Sequence, residues 1–243
     1  MPSKPQRLFV TSKLGAGATV SLSKDQAHYL GNVLRLKQGD NLLLFNGRDG
    51  EWWAELGAIG KKDAEARLDH QTRPQEDGPD LHYLFAPLKR ARLDYMVQKA
   101  TELGVSALRP VITRHTVAER VRSGRLLANA VEAAEQCGIL RVPEVLEPEK
   151  LTKLLATWDE GRLLIFADES APHASPIEAL KTLKSGPLAV LIGPEGGFER
   201  EERAALLAKP FVFPISLGPR VMRADTAAVA ALALVNAVLG DWH

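Results

Sequence analysis

The chain has 243 residues, 45% of them hydrophobic, and a formal net charge of +1. That suits one large α/β domain, or a small and a medium one, and excludes a disordered chain. A single cysteine, Cys137, excludes a disulfide framework and a cysteine-based zinc site, and the six histidines lack metal-ligand spacing. With no signal-like N-terminal stretch and no run of about 18 apolar residues, a cytoplasmic protein without metal or membrane is expected.

Residues 7–73 read as short strands starting at Arg7, Thr19, Asn41, Trp52 and Ala64, with turn signals at Gly15, Gly17, Gly39-Asp40 and Asn46-Gly47. A helical turn from Lys24 to Leu34 interrupts them. This pattern predicts a small β-barrel in which at least one of the adjacent Trp52 and Trp53 faces the core. The polar stretch Gln71 to Asp80, with two prolines and a glycine, predicts a linker.

Beyond Leu81 continuous apolar runs alternate with helical patterns. The runs 81–88, 107–113, 162–168, 188–193 and 211–217 suit strands covered on both faces, hence a parallel sheet. Leu93, Met96, Val97, Ala100 and Leu103 make one helical stripe that Gly104 terminates. Further helices are predicted over 125–136 and 199–208. The last helix, with Asp225 or Thr226 as N-cap, is apolar nearly all round from Ala227 to Val235, so it is central to the domain or part of a subunit interface.

Charge is unevenly spread. From Lys89 to Arg125 nine basic residues (Lys89, Arg90, Arg92, Lys99, Arg109, Arg114, Arg120, Arg122, Arg125) face three acidic ones (Asp94, Glu102, Glu119). Such a band suits a bound polyanion, and equally a set of solvated helix faces.

Two strand ends near the C-terminus carry glycine-rich turns. Gly193-Pro194-Glu195-Gly196-Gly197 lacks the lysine and hydroxyl of a Walker loop, and Glu199, Glu201 and Glu202 at the following helix start would repel phosphate. No Gly-x-Gly-x-x-Gly fingerprint is present, which disfavours a dinucleotide enzyme. Alone, the first turn is ordinary turn chemistry; paired with Leu217 to Ala227 (LGPRVMRADTA) it matches the signature of SPOUT-class RNA methyltransferases, which use S-adenosylmethionine. Within that class the chain most resembles the RsmE family, whose members methylate N3 of one uridine, U1498, in 16S ribosomal RNA. His28 to Asp40 looks like that family's N-terminal PUA-like domain. Gln98 to Pro110 looks like the first helix of its catalytic domain, and Glu135 to Val145 like its central motif. Ala224-Asp225 departs from the family's usual Thr-Glu.

The resemblance implies a PUA-like β-barrel over residues 1–73 and an α/β SPOUT methyltransferase domain over 74–243, its C-terminal segment threaded into a trefoil knot. It implies loops after Phe166, Ile192 and Ser216 that hold S-adenosylmethionine. The adenine would lie near Leu217, Val221 and Met222, the backbones of Gly193, Gly196 and Gly218 would bond the cofactor, and Glu195 and Thr226 would stand beside it. Arg223 is the first choice for a cation that stabilises the developing imide anion. Its alternative role is a loop staple to Glu195 or Asp225, and Glu195 is the nearest base candidate. RNA contacts would come from Arg7, His28, Arg35, Lys89, Arg114, Arg120 and Arg141. The expected partners are 16S ribosomal RNA or the assembled small subunit, and a second copy of the chain in a homodimer on the last helix. Two rivals stay open: a non-catalytic RNA-binding protein of ribosome assembly, and a SPOUT enzyme acting on another RNA.

Overall fold

A computed structural model describes residues 5–60, 63–117, 121–172 and 175–242. The chain divides into two compact units, residues 1–77 with 134–141, and residues 78–133 with 142–243.

The first unit contains β1 (Gln6–Phe9), β2 (Thr19–Leu22), α1 (Lys24–His28), a π-helical turn (Tyr29–Val33), β3 (Asn41–Phe45), β4 (Glu51–Ile59) and β5 (Ala64–Arg73). The barrel expected from the sequence is here a mixed five-stranded sheet in the order β1-β3-β4-β5-β2, with β1 parallel to β3 and the other pairs antiparallel. Alternation gives the sheet an inner face of Val20, Leu22, Leu42, Leu44, Ala54, Leu56, Ala66 and Leu68. Trp52 packs against this core, while Trp53 stacks on His70. Ser23 caps α1 through a capping box with Gln26. The linker expected from Gln71 begins later, because β5 continues to Arg73, where register shifts let Gln71 and Arg73 pair with Trp52 and Glu51.

The second unit contains β6 (Leu81–Phe85), α2 (Arg90–Glu102), β7 (Ala107–Ile112), α3 (Ser123–Cys137, its last turn counted with the first unit), β8 (Glu144–Val145) and β9 (Glu149–Lys150). It continues with α4 (Leu151–Ala156), β10 (Leu163–Ala167), α5 (Pro176–Lys181), β11 (Leu188–Ile192), α6 (Arg200–Leu207), β12 (Val212–Ile215) and α7 (Ala224–Val238). The strands form a parallel sheet in the order β12-β10-β11-β6-β7-β8, with β9 also paired to β7. All five residues of β11 are buried. Tyr83, Phe85, Ile165 and Val190 point into a core shared with α2 and α7, whereas Leu84, Leu164, Phe166 and Leu191 point into one shared with α4 and α6. Continuous apolarity thus reflects two covered faces.

Gly104 has a φ of +75° just past α2, as its place after the stripe predicts. The expected cap of the last helix needs correction. Arg223 occupies the N-cap position without a side-chain bond, Ala224 opens the helix, and Asp225 and Thr226 lie in its first turn. The short α4, α5, β8 and β9 were not legible in the periodicity, because each is too brief to show a repeat. No helix among the described residues is long and apolar enough to cross a membrane.

Candidate active site

Strands β12, β10 and β11 are neighbours and parallel, and their ends are level: Ala167 is opposite Ile215, and Phe166 is opposite Leu191. The three segments that follow them therefore leave one edge of the sheet side by side. Ligands of open parallel sheets bind at that carboxyl edge.

The segment after β10 is anchored by Asp168. Its amide donates to the Ile215 carbonyl, its Oδ1 accepts from the Ser170 amide, and its carboxylate meets Arg203 of α6 in a forked pair at 2.8–3.1 Å. The segment after β11 is a tight turn closed by the Gly197 amide on the Pro194 carbonyl at 2.9 Å, with Gly197 at φ +69°. At Gly193 a Cβ would stand 2.5 Å from the Phe198 ring, which itself meets Phe166 edge to face. Glycine is required there by close approach. In the segment after β12 the Gly218 amide donates to Ser216 Oγ at 3.2 Å. Gly218 has a φ of +103° and open space where a Cβ would be.

The residues expected around a ligand fall into three kinds. Phe166, Ile192 and Ser216 are buried and hold the loops from beneath. Leu217 and Met222 are half-buried against the core, while Val221 is 85% exposed. Glu195, Gly196, Arg223 and Thr226 are exposed. Among the described residues Arg223 forms no ion pair, and Glu195 instead faces Arg92 at 3.7 Å. The staple alternative for Arg223 is therefore not what this structure contains.

Sequence reasoning gave no part to His115, which follows β7 and is distant in the chain from both glycine turns. The structure brings it onto the turn after β11: Nδ1 lies 3.0 Å from the Gly196 carbonyl oxygen and 3.2 Å from that of Gly197, and Nε2 lies 3.3 Å from Glu199. Glu202 fixes the same segment by accepting from the Arg114 amide at 2.9 Å. The acidic start of α6 is thus a docking point for neighbouring backbone. Asp168 and Arg203 were likewise missed, although a charged residue closing the apolar run 162–168 was a visible signal.

The expected RNA contacts divide as sharply. Arg7 is corrected: its side chain is 12% exposed, pairs with Glu51 at 2.7 Å, and donates to the carbonyls of Ala134, Glu135 and Ile139 within the first unit. A guanidinium so committed is an internal brace. Arg141 gives one donor to the Asp77 carbonyl. Arg120 lies outside the described residues. His28, Arg35, Lys89 and Arg114 are exposed, and Arg35 holds a φ of +58°, a left-handed backbone uncommon for arginine. Part of the basic band is neutralised, since Lys99 pairs with Glu102 and Arg125 with Asp94. The Arg125 bonds hold the Asp94 carboxyl below the usual carboxylate range. Arg109 lies over the Trp158 ring at 5.4 Å, and burial lowers its affinity for the proton.

Residues 75–236 match the family of RNA methyltransferase domains, and residues 22–69 match the RNA methyltransferase PUA domain. A relative from Rickettsia conorii, a ribosomal RNA small subunit methyltransferase E, is 33% identical over 96% of each chain. The chain belongs to the ribosomal RNA small subunit methyltransferase E family. A family member from Synechocystis is 30% identical over 96% of this chain and 78% of its own. A putative methyltransferase from Legionella pneumophila, solved with bound S-adenosylmethionine, superposes with a TM-score of 0.87 at 30% identity, over 98% of this chain and 99% of its own. A family enzyme from Neisseria gonorrhoeae, also bound to S-adenosylmethionine, gives 0.87 at 28% identity over 98% and 100%. As a family methyltransferase, the chain places its departure Ala224-Asp225 at the first two positions of α7, with Ala224 buried and the helix start without a side-chain cap.

Proposed function

We propose that this protein transfers the methyl group of S-adenosylmethionine to N3 of one uridine, U1498, in the 16S RNA of the small ribosomal subunit, acting as a homodimer. The observation that carries the reading is the convergence of three turns at one sheet edge, with an exposed Arg223 that forms no ion pair among the described residues at the end of the third. Knotting of the C-terminal segment, which the family resemblance implies, is the topology that would gather those turns. Domain roles follow the same reading, with residues 1–73 binding RNA and 74–243 carrying catalysis.

The turns suit the cofactor. Gly218 leaves open space beside its backbone, Leu217 and Met222 offer apolar surface, and Gly193 and Gly196 offer main-chain partners to an adenosyl group. S-adenosylmethionine supplies an electrophilic methyl group on a sulfonium. The residues must then meet the needs of the acceptor. Uracil N3 attacks through an in-plane lone pair, so its proton leaves before or during transfer, and negative charge spreads onto O2 and O4. A guanidinium with its donors free suits that planar edge, and we assign this part to Arg223. Glu195, already facing Arg92, takes the lesser part of accepting the N3 proton. Exposed His28, Arg35, Lys89 and Arg114 supply phosphate contacts that position the RNA without reading its sequence.

Mass spectrometry of 16S RNA nucleosides from a deletion strain, its parent and a strain complemented with Arg223→Ala tests the reading. Loss of one 3-methyluridine on deletion, unrestored by the variant, is expected. An unchanged 3-methyluridine content in the deletion strain sinks it.

A further inference from the structure

His115 is held between acceptors on both sides of its ring. The carbonyls of Gly196 and Gly197, 3.0 and 3.2 Å from Nδ1, can only accept, so these contacts are hydrogen bonds when Nδ1 carries a proton. The carboxylate of Glu199, 3.3 Å from Nε2, attracts that nitrogen only when it too is protonated. The neutral ring would turn a lone pair toward the carboxylate. Three elements meet at this one side chain: its own segment after β7, the glycine turn after β11, and the start of α6.

The surroundings reinforce the geometry. Glu199, the N-cap of α6, faces the ring, and Glu202 of α6 is bonded to the Arg114 amide and to the Glu199 amide. Glu169, after β10, approaches Gly197, and its Oε1 would stand 3.0 Å from a Cβ there. Within the turn Glu195 is turned to Arg92. On the segment of His115 itself, Arg114 has its side chain exposed. The ring packs onto Gly196 so closely that a Cβ there would lie 3.3 Å from the His115 Cβ.

We propose that doubly protonated His115 is a positioning residue that clamps the Gly193–Gly197 turn in its cofactor-holding form. The inference rests on the reading that this turn binds S-adenosylmethionine. Its consequence is a proton requirement: deprotonation of His115 breaks the Glu199 link, loosens the turn, and weakens the cofactor while the reacting groups stay in place. His115 and Glu199 are both partly exposed, so the expected loss is about two- to fivefold in affinity.

Calorimetric titration with S-adenosylhomocysteine from pH 5.5 to 8.5 tests this. Wild type should bind more weakly as the imidazole loses its proton, with net proton uptake on binding at intermediate pH. His115→Arg, which keeps a cation and its donors, should bind at the acid-side affinity throughout and lose that uptake. His115→Gln, unable to titrate, should bind weakly at every pH. A wild-type affinity flat across the range, or a pH dependence kept by His115→Arg, overturns the clamp and leaves the cofactor assignment standing. No binding by wild type at any pH overturns both.

Discussion

Arg203 closes a forked ion pair on Asp168, both nitrogens of the fork lying within 3.1 Å of a carboxylate that is only 3% exposed. The pair joins α6, which follows the glycine turn, to the segment after β10, whose Asp168 amide also bonds β12. One residue therefore ties three elements together, its carboxylate holding α6 and the Ser170 amide and its own amide holding the end of β12. The same bonds raise the proton affinity of the Arg203 guanidinium.

Replacing Asp168 with Ala should lower stability by about 1–3 kcal/mol, because the Ser170 amide loses its acceptor and Arg203 loses its partner. Arg203→Ala should cost more than a surface pair does, since it leaves a buried carboxylate uncompensated. Both variants should also bind S-adenosylhomocysteine more weakly. Chemical denaturation and calorimetry on the two singles and the double will check this. Additive losses would show that the pair is not a unit.

Gly193→Ala should shift the Phe198 ring, because the new methyl would lie 2.5 Å from it. Overpacking of this kind costs about 1–3 kcal/mol. Gly193→Ala paired with Phe198→Leu should recover part of that stability. Gly196→Val should abolish cofactor binding while unfolding stays cooperative, as heat melts with calorimetry will show. Unchanged affinity would remove the main chain of this turn from the cofactor site.

Arg223→Lys and Arg223→Ala should lower turnover progressively, by up to about 100- to 1000-fold for alanine, with cofactor affinity nearly constant. Raising the pH increases the fraction of uracil that has lost its N3 proton unaided. The alanine variant should therefore gain on wild type as pH rises from 7 to 10. Single-turnover rates on small subunits across that range decide the matter, and a wild-type rate for Arg223→Ala at neutral pH removes this residue from the mechanism.

Helix α7 distinguishes fold from assembly. Ala231, Leu232 and Val235 are fully buried within the chain, whereas Val229, Ala230, Ala233 and Leu234 are partly open. Ala231→Asp should thus unfold the protein. Leu234→Asp should leave the fold cooperative and dissociate the proposed homodimer. Sedimentation at micromolar concentration is the measurement, and a monomeric wild type would refute the interface.

The sequence by itself determined the parts whose physics is local. Runs such as Leu188–Ile192 announce strands covered on both faces, the stripe from Leu93 to Leu103 announces a helix, and Gly104 announces its end. The two glycine turns and the flanking motifs carried the family through matching residues. Tertiary structure decided what depends on partners far along the chain. Arg7 reads as one of the basic residues expected to contact RNA, yet Glu51 and three carbonyls of residues 134–139 claim it as an internal brace. His115 shows no sequence link to Gly196, 81 residues away, and only parallel pairing of β6 with both β7 and β11 brings their following segments together. Strand order also set β10 between β11 and β12, which is what allows Asp168 to tie three elements together. Local patterns record which face of an element is apolar; which side chains meet across the sheet edge is fixed only when the strands have taken their order and register.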